Sequence, residues 1–180
     1  MFMLKTWIPE EIPEKEELKK RIKEAGEKLY QQQMKLKEHK LPVLVLFEGW
    51  GASGKGTTIG RVIKYIDPRF FKVATMSKPT EDELRRPFLY RYFNQIPEAG
   101  KFTFLDSGWM EQTCKDCLNG LGRRGFMQSG STASKHFERQ LTDNGYLVLK
   151  FFMQIAKKEQ TRRIEKLNKE QDYKMACGCL

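Results

Sequence analysis

The chain has 180 residues, of which 39% are hydrophobic, and a formal net charge of +10 at neutral pH. This length suits one domain with its own hydrophobic core, and no apolar run approaches the roughly 20 residues of a membrane-spanning helix. The segment from Met1 to Trp7 lacks the apolar stretch of a signal peptide, so we expect a cytoplasmic protein without a membrane partner. The excess of positive charge predicts a polyanionic partner: nucleic acid, phosphorylated metabolites or inorganic polyphosphate.

A long charged helix is predicted at the start of the chain, over residues 13–40. Its apolar side chains recur at helical spacing, and its acidic and basic side chains can pair one turn apart. We therefore predict an N-terminal amphipathic helical extension over residues 1–40, which lies on the domain or on a sister subunit. The domain itself is expected to occupy residues 41–180.

A phosphate-binding loop is predicted directly after the first strand. The apolar, β-branched run from Val43 to Phe47 is typical of a buried strand, and the spacing Gly49-x-x-x-x-Gly54-Lys55 follows it. Residues 57–66 then have the apolar spacing of a helix. Strand, glycine loop and helix form a phosphate site because the loop N–H groups and the helix N-terminus attract the anion, and the lysine adds a full charge.

This loop differs from the usual pattern at one position. Gly56 stands where most such loops have the Ser or Thr whose hydroxyl binds Mg²⁺, and Thr57 comes one position later. Rules for ordinary ATPases should therefore not be transferred to it. The loop residues that we predict to bind phosphate are Gly49, Gly54, Lys55, Gly56 and Thr57.

Strands and helices alternate along the rest of the chain. We predict strands over residues 71–76, 102–106 and 146–153, helices over 80–94, 132–142 and 157–169, and a polar, glycine-rich loop over 119–131. Thr80 and Glu83 have the spacing of a capping box at the start of the helix over residues 80–94. The alternation predicts an α/β fold, a parallel sheet with helices on both faces.

Asp106 is the candidate metal ligand because it ends the apolar strand over residues 102–106. In phosphate-loop folds an acid at that place holds Mg²⁺ beside the transferring phosphoryl group. Without the loop, an aspartate that caps a turn would be the simpler interpretation. With the loop present, we predict the metal role.

Basic residues follow the second and fourth strands, where they could stabilise the negative charge of phosphates. Lys78, Arg86 and Arg91 are the candidates for phosphate binding after the second strand. Arg162 and Arg163 lie where a mobile lid would supply a catalytic cation. The alternative is that most of the basic residues in these helices are solvated surface charges, and we expect a minority of them to contact phosphate.

The chain resembles the polyphosphate kinase 2 family, and most closely its polyphosphate:AMP phosphotransferase branch. The resemblance extends over residues 41–167 and lies in the blocks FEGWGASGKGTTI, IDPRFFKV, KPTEDELRRPFLYRYFNQIPEAGKFTFLDSGWM and FERQLTDNGYLVLKFFMQIAKKEQTRRIEKL. It implies a phosphate-loop kinase fold that uses Mg²⁺ to move phosphoryl groups between inorganic polyphosphate and an adenine or guanine nucleotide. It also implies a homo-oligomer with no specific nucleic-acid partner. The catalytic residues expected from it are Lys55, Asp106, Arg162 and Arg163.

Three departures from the family predict an impaired copy. Gly51 stands where family members have an aspartate, and Ser107 stands where they have an arginine after Asp106. The chain also ends at Leu180, inside or just after the lid, so we expect a C-terminally short domain with residues 172–180 disordered. The alternatives are a non-catalytic protein that binds polyphosphate or nucleotide, the degenerate half of a tandem protein, and a truncated reading frame.

Overall fold

A computed structural model describes residues 13–118 and 126–169 of the chain. The helices are α1 (Lys15–Glu38), α2 (Lys55–Val62), α3 (Glu81–Leu84), α4 (Tyr90–Phe93), α5 (Trp109–Leu118), α6 (Phe126–Asp143) and α7 (Lys157–Lys169). The strands are β1 (Val43–Gly49), β2 (Phe71–Thr75), β3 (Phe102–Asp106) and β4 (Leu147–Met153). Within the described ranges, no helix combines the length and the hydropathy needed to cross a membrane.

The sheet is parallel throughout, with the strand order β2-β3-β1-β4. Phe47 near the end of β1 pairs with Asp106 on one side and with Phe151 on the other. The carboxyl ends of the strands therefore share one edge, and Asp106 lies beside the loop that follows β1. This is the edge at which open α/β sheets bind ligands.

Side chains on the two faces of β1 belong to two separate cores. Val43, Val45 and Phe47 pack with Ile59 of α2, and Leu29 of α1 lies against this cluster. The opposite face carries a second cluster: Leu44, Leu46, Tyr92, Leu105, Trp109, Phe137 and Leu141. Burial on both faces explains why β1 is a continuous apolar run rather than an alternating one. The predicted α/β fold with helices on both faces is confirmed.

The helix α1 packs on the domain through its second half. The ring of Tyr65 lies directly against Gly26, where any side chain would overlap it. Gln33 is fully buried, and its Oε1 accepts a hydrogen bond of 3.0 Å from the N–H of Asp67. Residues 15–25 are all exposed. The domain division at residue 40 stays a prediction.

The predicted helix over residues 80–94 is wrong in its length, although its start is confirmed. Thr80 and Glu83 form both hydrogen bonds of the capping box. The helix α3 then ends at Leu84, and α4 begins only at Tyr90. Pro87 lies between them and explains the break, because it has no N–H to donate and disfavours helical geometry in the residue before it.

The predicted loop over residues 119–131 is partly wrong, and α5 was not predicted. The helix α6 begins at Phe126, whereas residues 119–125 lie outside the described part. A side chain at Gly130 would lie only 2.9 Å from Thr113 of α5, so small residues let the two helices approach closely. At the start of α6, the polar and glycine-rich composition therefore reflects close helix packing rather than a loop. The predicted disorder of residues 172–180 also concerns residues outside the described part.

Gly49→Ala is expected to destabilise the protein by about 3 kcal/mol, because the backbone strain of a positive φ and the steric overlap of the new Cβ with β4 add. Gly49 has a φ of 134°, and an added Cβ would overlap the carbonyl oxygen of Met153 in β4. Gly60→Ala is the matched control, since no described atom beyond its own stretch of helix lies within 4 Å of a Cβ there. That variant should gain about 0.5–1 kcal/mol, as alanine is the better helix former. Urea unfolding measures both, and equal stabilities of the two variants would contradict the prediction.

Candidate functional site

The loop between β1 and α2 has the backbone geometry of an anion site. Gly49, Ala52 and Gly54 have φ values of 134°, 58° and 98°, all in the region that favours glycine. Gly54 is the N-cap of α2, and no described side chain caps the amides of this helix. An anion can therefore accept hydrogen bonds from the unpaired N–H groups, and the partial positive charge of the helix N-terminus attracts it.

Lys55, the first residue of α2, turns back over the loop. Its Nζ donates a hydrogen bond of 2.9 Å to the carbonyl oxygen of Gly49. The same atom lies 3.4 Å from Oε2 of Glu111. Because its side chain is only 12% exposed, the ammonium is held at the carboxyl edge of the sheet rather than in bulk solvent.

Asp106 lies next to the start of α2. A Cβ built at Gly56 would be 3.4 Å from Oδ2 of Asp106, so the glycine leaves space beside the carboxylate. Burial raises the pKa of Asp106, and the positive charge of Lys55 opposes that rise. The carboxylate is thus a partly desolvated negative charge that a cation would stabilise.

A metal ion at this place would need ligands from its substrates as well as from the protein. In residues 13–118 and 126–169, no group of three or more His, Cys, Asp or Glu side chains could hold a metal ion. Mg²⁺ usually keeps several waters and takes one or two carboxylates together with substrate phosphates. Asp106 alone fits an ion that binds together with a phosphorylated ligand.

Two further acids belong to the site, and the sequence analysis did not single them out. Oε1 of Glu48 accepts a hydrogen bond of 3.0 Å from the N–H of Met110, and a side chain at Gly108 would overlap that oxygen. Glu111 pairs with Lys55, as described above. A signal was present in the sequence: Glu48 comes at the end of a strand, and Glu111 comes just after Asp106, at the start of a helix.

Glu48→Gln is expected to change how stability depends on pH. Burial raises the pKa of Glu48 above its ordinary value of 4.5, and the N–H groups of Met110 and Glu111 oppose this. The folded protein therefore binds this proton more tightly than the unfolded chain. The stabilisation is complete below the unfolded pKa and is lost as pH rises through the folded one. Relative to wild type, the variant should become more stable between pH 4.5 and neutrality.

Thermal unfolding at a series of pH values measures this difference. Glu98→Gln is the control of opposite sign, because the hydrogen bond from Lys101 lowers the pKa of exposed Glu98. Its stability relative to wild type should fall slightly as pH rises towards 4.5, and the difference should stay level above that pH. A difference between Glu48→Gln and wild type that does not vary with pH would contradict the role of burial.

The helix α7 lies over the loop through a few polar contacts. Nη1 of Arg163 donates to the carbonyl oxygens of Ala52 and Ser53, at 3.2 and 3.1 Å. Nε2 of Gln160 donates to the carbonyl oxygen of Gly51 at 3.0 Å. Arg162 is exposed and forms a two-pronged pair with Glu159. Of the two predicted arginines, the structure brings Arg163 to the loop and turns Arg162 towards solvent.

The predicted basic residues near β2 lie in different surroundings. Arg91 is buried, and its Nη2 donates to the carbonyl oxygen of Ser77 at 2.8 Å. Its Nε lies 3.8 Å from Oε1 of Glu83, and its Nε and Nη1 are buried without a hydrogen-bond partner among the described residues. Arg86 is exposed, pairs with Asp82 and lies over the ring of Tyr90. Lys78 is also exposed.

Gly51 and Ser107, the two departures expected from the family resemblance, both adjoin the site. Gly51 is exposed, and only Nε2 of Gln160, at 3.9 Å, lies near a Cβ built there among the described atoms. Ser107 has a φ of 75°, and its N–H donates to the carbonyl oxygen of Phe47. A carboxylate at residue 51 would therefore fit without displacing the backbone.

Comparisons with known proteins agree with this geometry. The pattern of the polyphosphate kinase 2 family, PPK2, matches residues 13–176. A polyphosphate:AMP phosphotransferase from Pseudomonas syringae is 34% identical over 135 residues, which is 75% of this chain and 27% of that protein. An AMP/ADP-polyphosphate phosphotransferase from Meiothermus ruber is 32% identical over 165 residues, which is 91% of this chain and 60% of that protein.

Similarity extends to a solved structure. A crystal structure from Pseudomonas aeruginosa, described as a polyphosphate kinase 2, superposes with a TM-score of 0.83 at 27% identity. The superposition covers 88% of this chain and 34% of that one. The chain spans 27%, 32% and 30% of the first curated relatives that it matches.

Proposed function

Because this chain belongs to the polyphosphate kinase 2 family, we propose that it is a polyphosphate-dependent nucleotide phosphotransferase acting on AMP or ADP. The observation that carries the proposal is the position of Lys55, at the end of a glycine loop and beside Asp106 on the carboxyl edge of the sheet. A relative from Pseudomonas aeruginosa is named for GDP, so a guanine nucleotide is a further candidate acceptor. A cytoplasmic homo-oligomer is part of the same proposal.

In the proposed reaction, a phosphate oxygen of the nucleotide attacks the terminal phosphorus of polyphosphate. The bond from that phosphorus to its bridging oxygen breaks, and the oxygen stays on the shortened polyphosphate with its electron pair. The attacking oxygen is already an anion, so no side chain has to remove a proton. The protein contributes by positioning the reactants and stabilising negative charge.

Each site residue has a defined part in this proposal. The loop amides and Lys55 hold the transferring phosphoryl group, and Asp106 would hold Mg²⁺, which neutralises charge on the phosphate oxygens. Arg163 is the proposed catalytic arginine, because it is the one that reaches the loop. Arg91 would bind phosphate through Nη1, which has no hydrogen-bond partner among the described residues, once this buried atom becomes accessible.

A second candidate function is binding without efficient turnover. Gly51 favours it, since a glycine cannot supply the carboxylate that family members carry at this position. One missing charged group in a phosphoryl-transfer site costs about 2–4 kcal/mol of barrier, by analogy with other electrostatic stabilisers. The loop would then still bind polyphosphate, because Gly49, Gly54, Lys55 and Gly56 are present.

A coupled assay distinguishes these candidates. Polyphosphate, Mg²⁺ and either AMP or ADP are mixed with the protein, and the nucleoside di- or triphosphate formed is measured over time. If product forms slowly and Lys55→Ala abolishes its formation, the phosphotransferase function is supported. Binding of polyphosphate without product supports the second candidate. If the protein neither binds polyphosphate nor forms product, both candidate functions are overturned.

A further inference from the structure

The cation of the loop is engaged by an acid that comes from another helix. Nζ of Lys55 lies 3.4 Å from Oε2 of Glu111, in the first turn of α5. The two side chains are 12% and 16% exposed, so solvent and salt screen this pair less than a surface pair. Phosphate in the loop would have to share Lys55 with a carboxylate.

The surroundings of Glu111 hold its carboxylate in place. Its Oε1 pairs with Lys115 at 2.9 Å, one turn further along α5. The helix itself is anchored by Trp109, which is fully buried and whose indole N–H donates to Glu138. Oε2, the oxygen next to Lys55, has no hydrogen-bond partner among the described residues. This oxygen therefore interacts with Lys55 through charge alone.

We propose that Glu111 is a positioning residue that sets the affinity of the loop for phosphate by competing for Lys55. The carboxylate of Glu111 holds the ammonium of Lys55 near the edge of the sheet where Asp106 lies. When phosphate oxygens bind, the ammonium leaves the carboxylate and contacts them instead. The carboxylate also repels those oxygens, since they approach the same cation. This inference rests on the proposed function in one respect, namely that the anion is polyphosphate.

Glu111→Gln tests the inference because glutamine keeps the volume and removes the charge. The variant should bind inorganic polyphosphate about tenfold more tightly than wild type, since Lys55 no longer has to leave a carboxylate and a like charge near the ligand is lost. Equilibrium titration at fixed low salt, without nucleotide, measures this. A purely structural role for Glu111 would weaken binding or leave it unchanged.

Glu98→Gln is the matched control for net charge. Glu98 forms an ion pair of 2.7 Å with Lys101 just before β3, at the opposite end of that strand from Asp106. Its substitution adds the same unit of charge and should leave the affinity within about twofold, as screened distant charges act weakly. If Glu111→Gln binds no more tightly than Glu98→Gln, the inference is overturned.

A double variant tests whether Glu111 acts through Lys55. In the Lys55→Ala background the gain from Glu111→Gln should shrink to the part that comes from direct repulsion, because no ammonium remains to be released. An equal gain in both backgrounds would overturn the competition. If Glu111→Gln does not fold, as thermal unfolding would reveal, Glu111→Asp replaces it. Its shorter side chain draws the charge away from Lys55 and should also tighten binding, by a smaller factor; unchanged or weaker binding would overturn the inference.

The proposed function fails on a different result. Lys55→Ala with wild-type affinity, or no binding of polyphosphate by wild type, would remove the loop from the site. Weakened binding in Lys55→Ala together with no gain in Glu111→Gln leaves the function intact and overturns only the role of Glu111.

Discussion

Lys55→Ala is expected to weaken the binding of inorganic polyphosphate about 50-fold, corresponding to a lost charge-assisted contact of about 2–3 kcal/mol. The loss includes the ion pair with Glu111, so the variant also leaves an unpaired carboxylate near the loop. Titration at several salt concentrations measures the affinity and its salt dependence, which should become shallower when a cationic contact is lost.

Lys64→Ala is the control for this variant. Lys64 is exposed and lies just after the far end of α2, so its removal subtracts the same charge away from the loop. Its affinity for polyphosphate should stay close to that of wild type. Equal affinities of Lys55→Ala and Lys64→Ala would mean that polyphosphate binds elsewhere.

Gly51→Asp is expected to raise turnover about 30-fold, because a restored charged group lowers the barrier by about 2 kcal/mol. The position is exposed, and a side chain there has room beside Gln160. The coupled assay with polyphosphate, Mg²⁺ and AMP or ADP measures the rate constant at saturating substrate. The gain requires that the rest of the site is assembled, with Lys55 and Asp106 in the places described.

Gly51→Asn separates the charge from the size of the new side chain. It fills the same space without a carboxylate and should leave turnover near that of wild type. If the Asn and Asp variants behave alike, the missing carboxylate does not limit the reaction. A wild-type rate equal to that of a family member with the aspartate would contradict the expected impairment itself.

Much of the loop region could be predicted from the sequence because its signals are local. The run from Val43 to Phe47 and the spacing of Gly49, Gly54 and Lys55 place a strand, a turn and a helix without reference to the rest of the chain. The capping box of Thr80 and Glu83 is local in the same sense. That helix ends earlier than its periodic pattern predicts, because Pro87 interrupts it.

The helix α5 and the start of α6 could not be read from local composition. Thr113 and Gly130 are a polar residue and a helix breaker when considered alone. In the fold they lie where two helices approach closely, and the hydroxyl of Thr113 donates a hydrogen bond to the carbonyl oxygen of Trp109. Packing overrides propensity at such contacts.

The sequence by itself therefore determined the class of fold, the glycine loop between a strand and a helix, and Asp106 at a strand end, because period and spacing are properties of the chain. Only the tertiary structure decided which cations and acids meet at the loop. Arg162 and Arg163 are neighbours in sequence, but successive residues of a helix point about 100° apart, and packing of α7 turned Arg163 to the loop. The pairing of Lys55 with Glu111 likewise joins two helices and exists only once the sheet has brought them together.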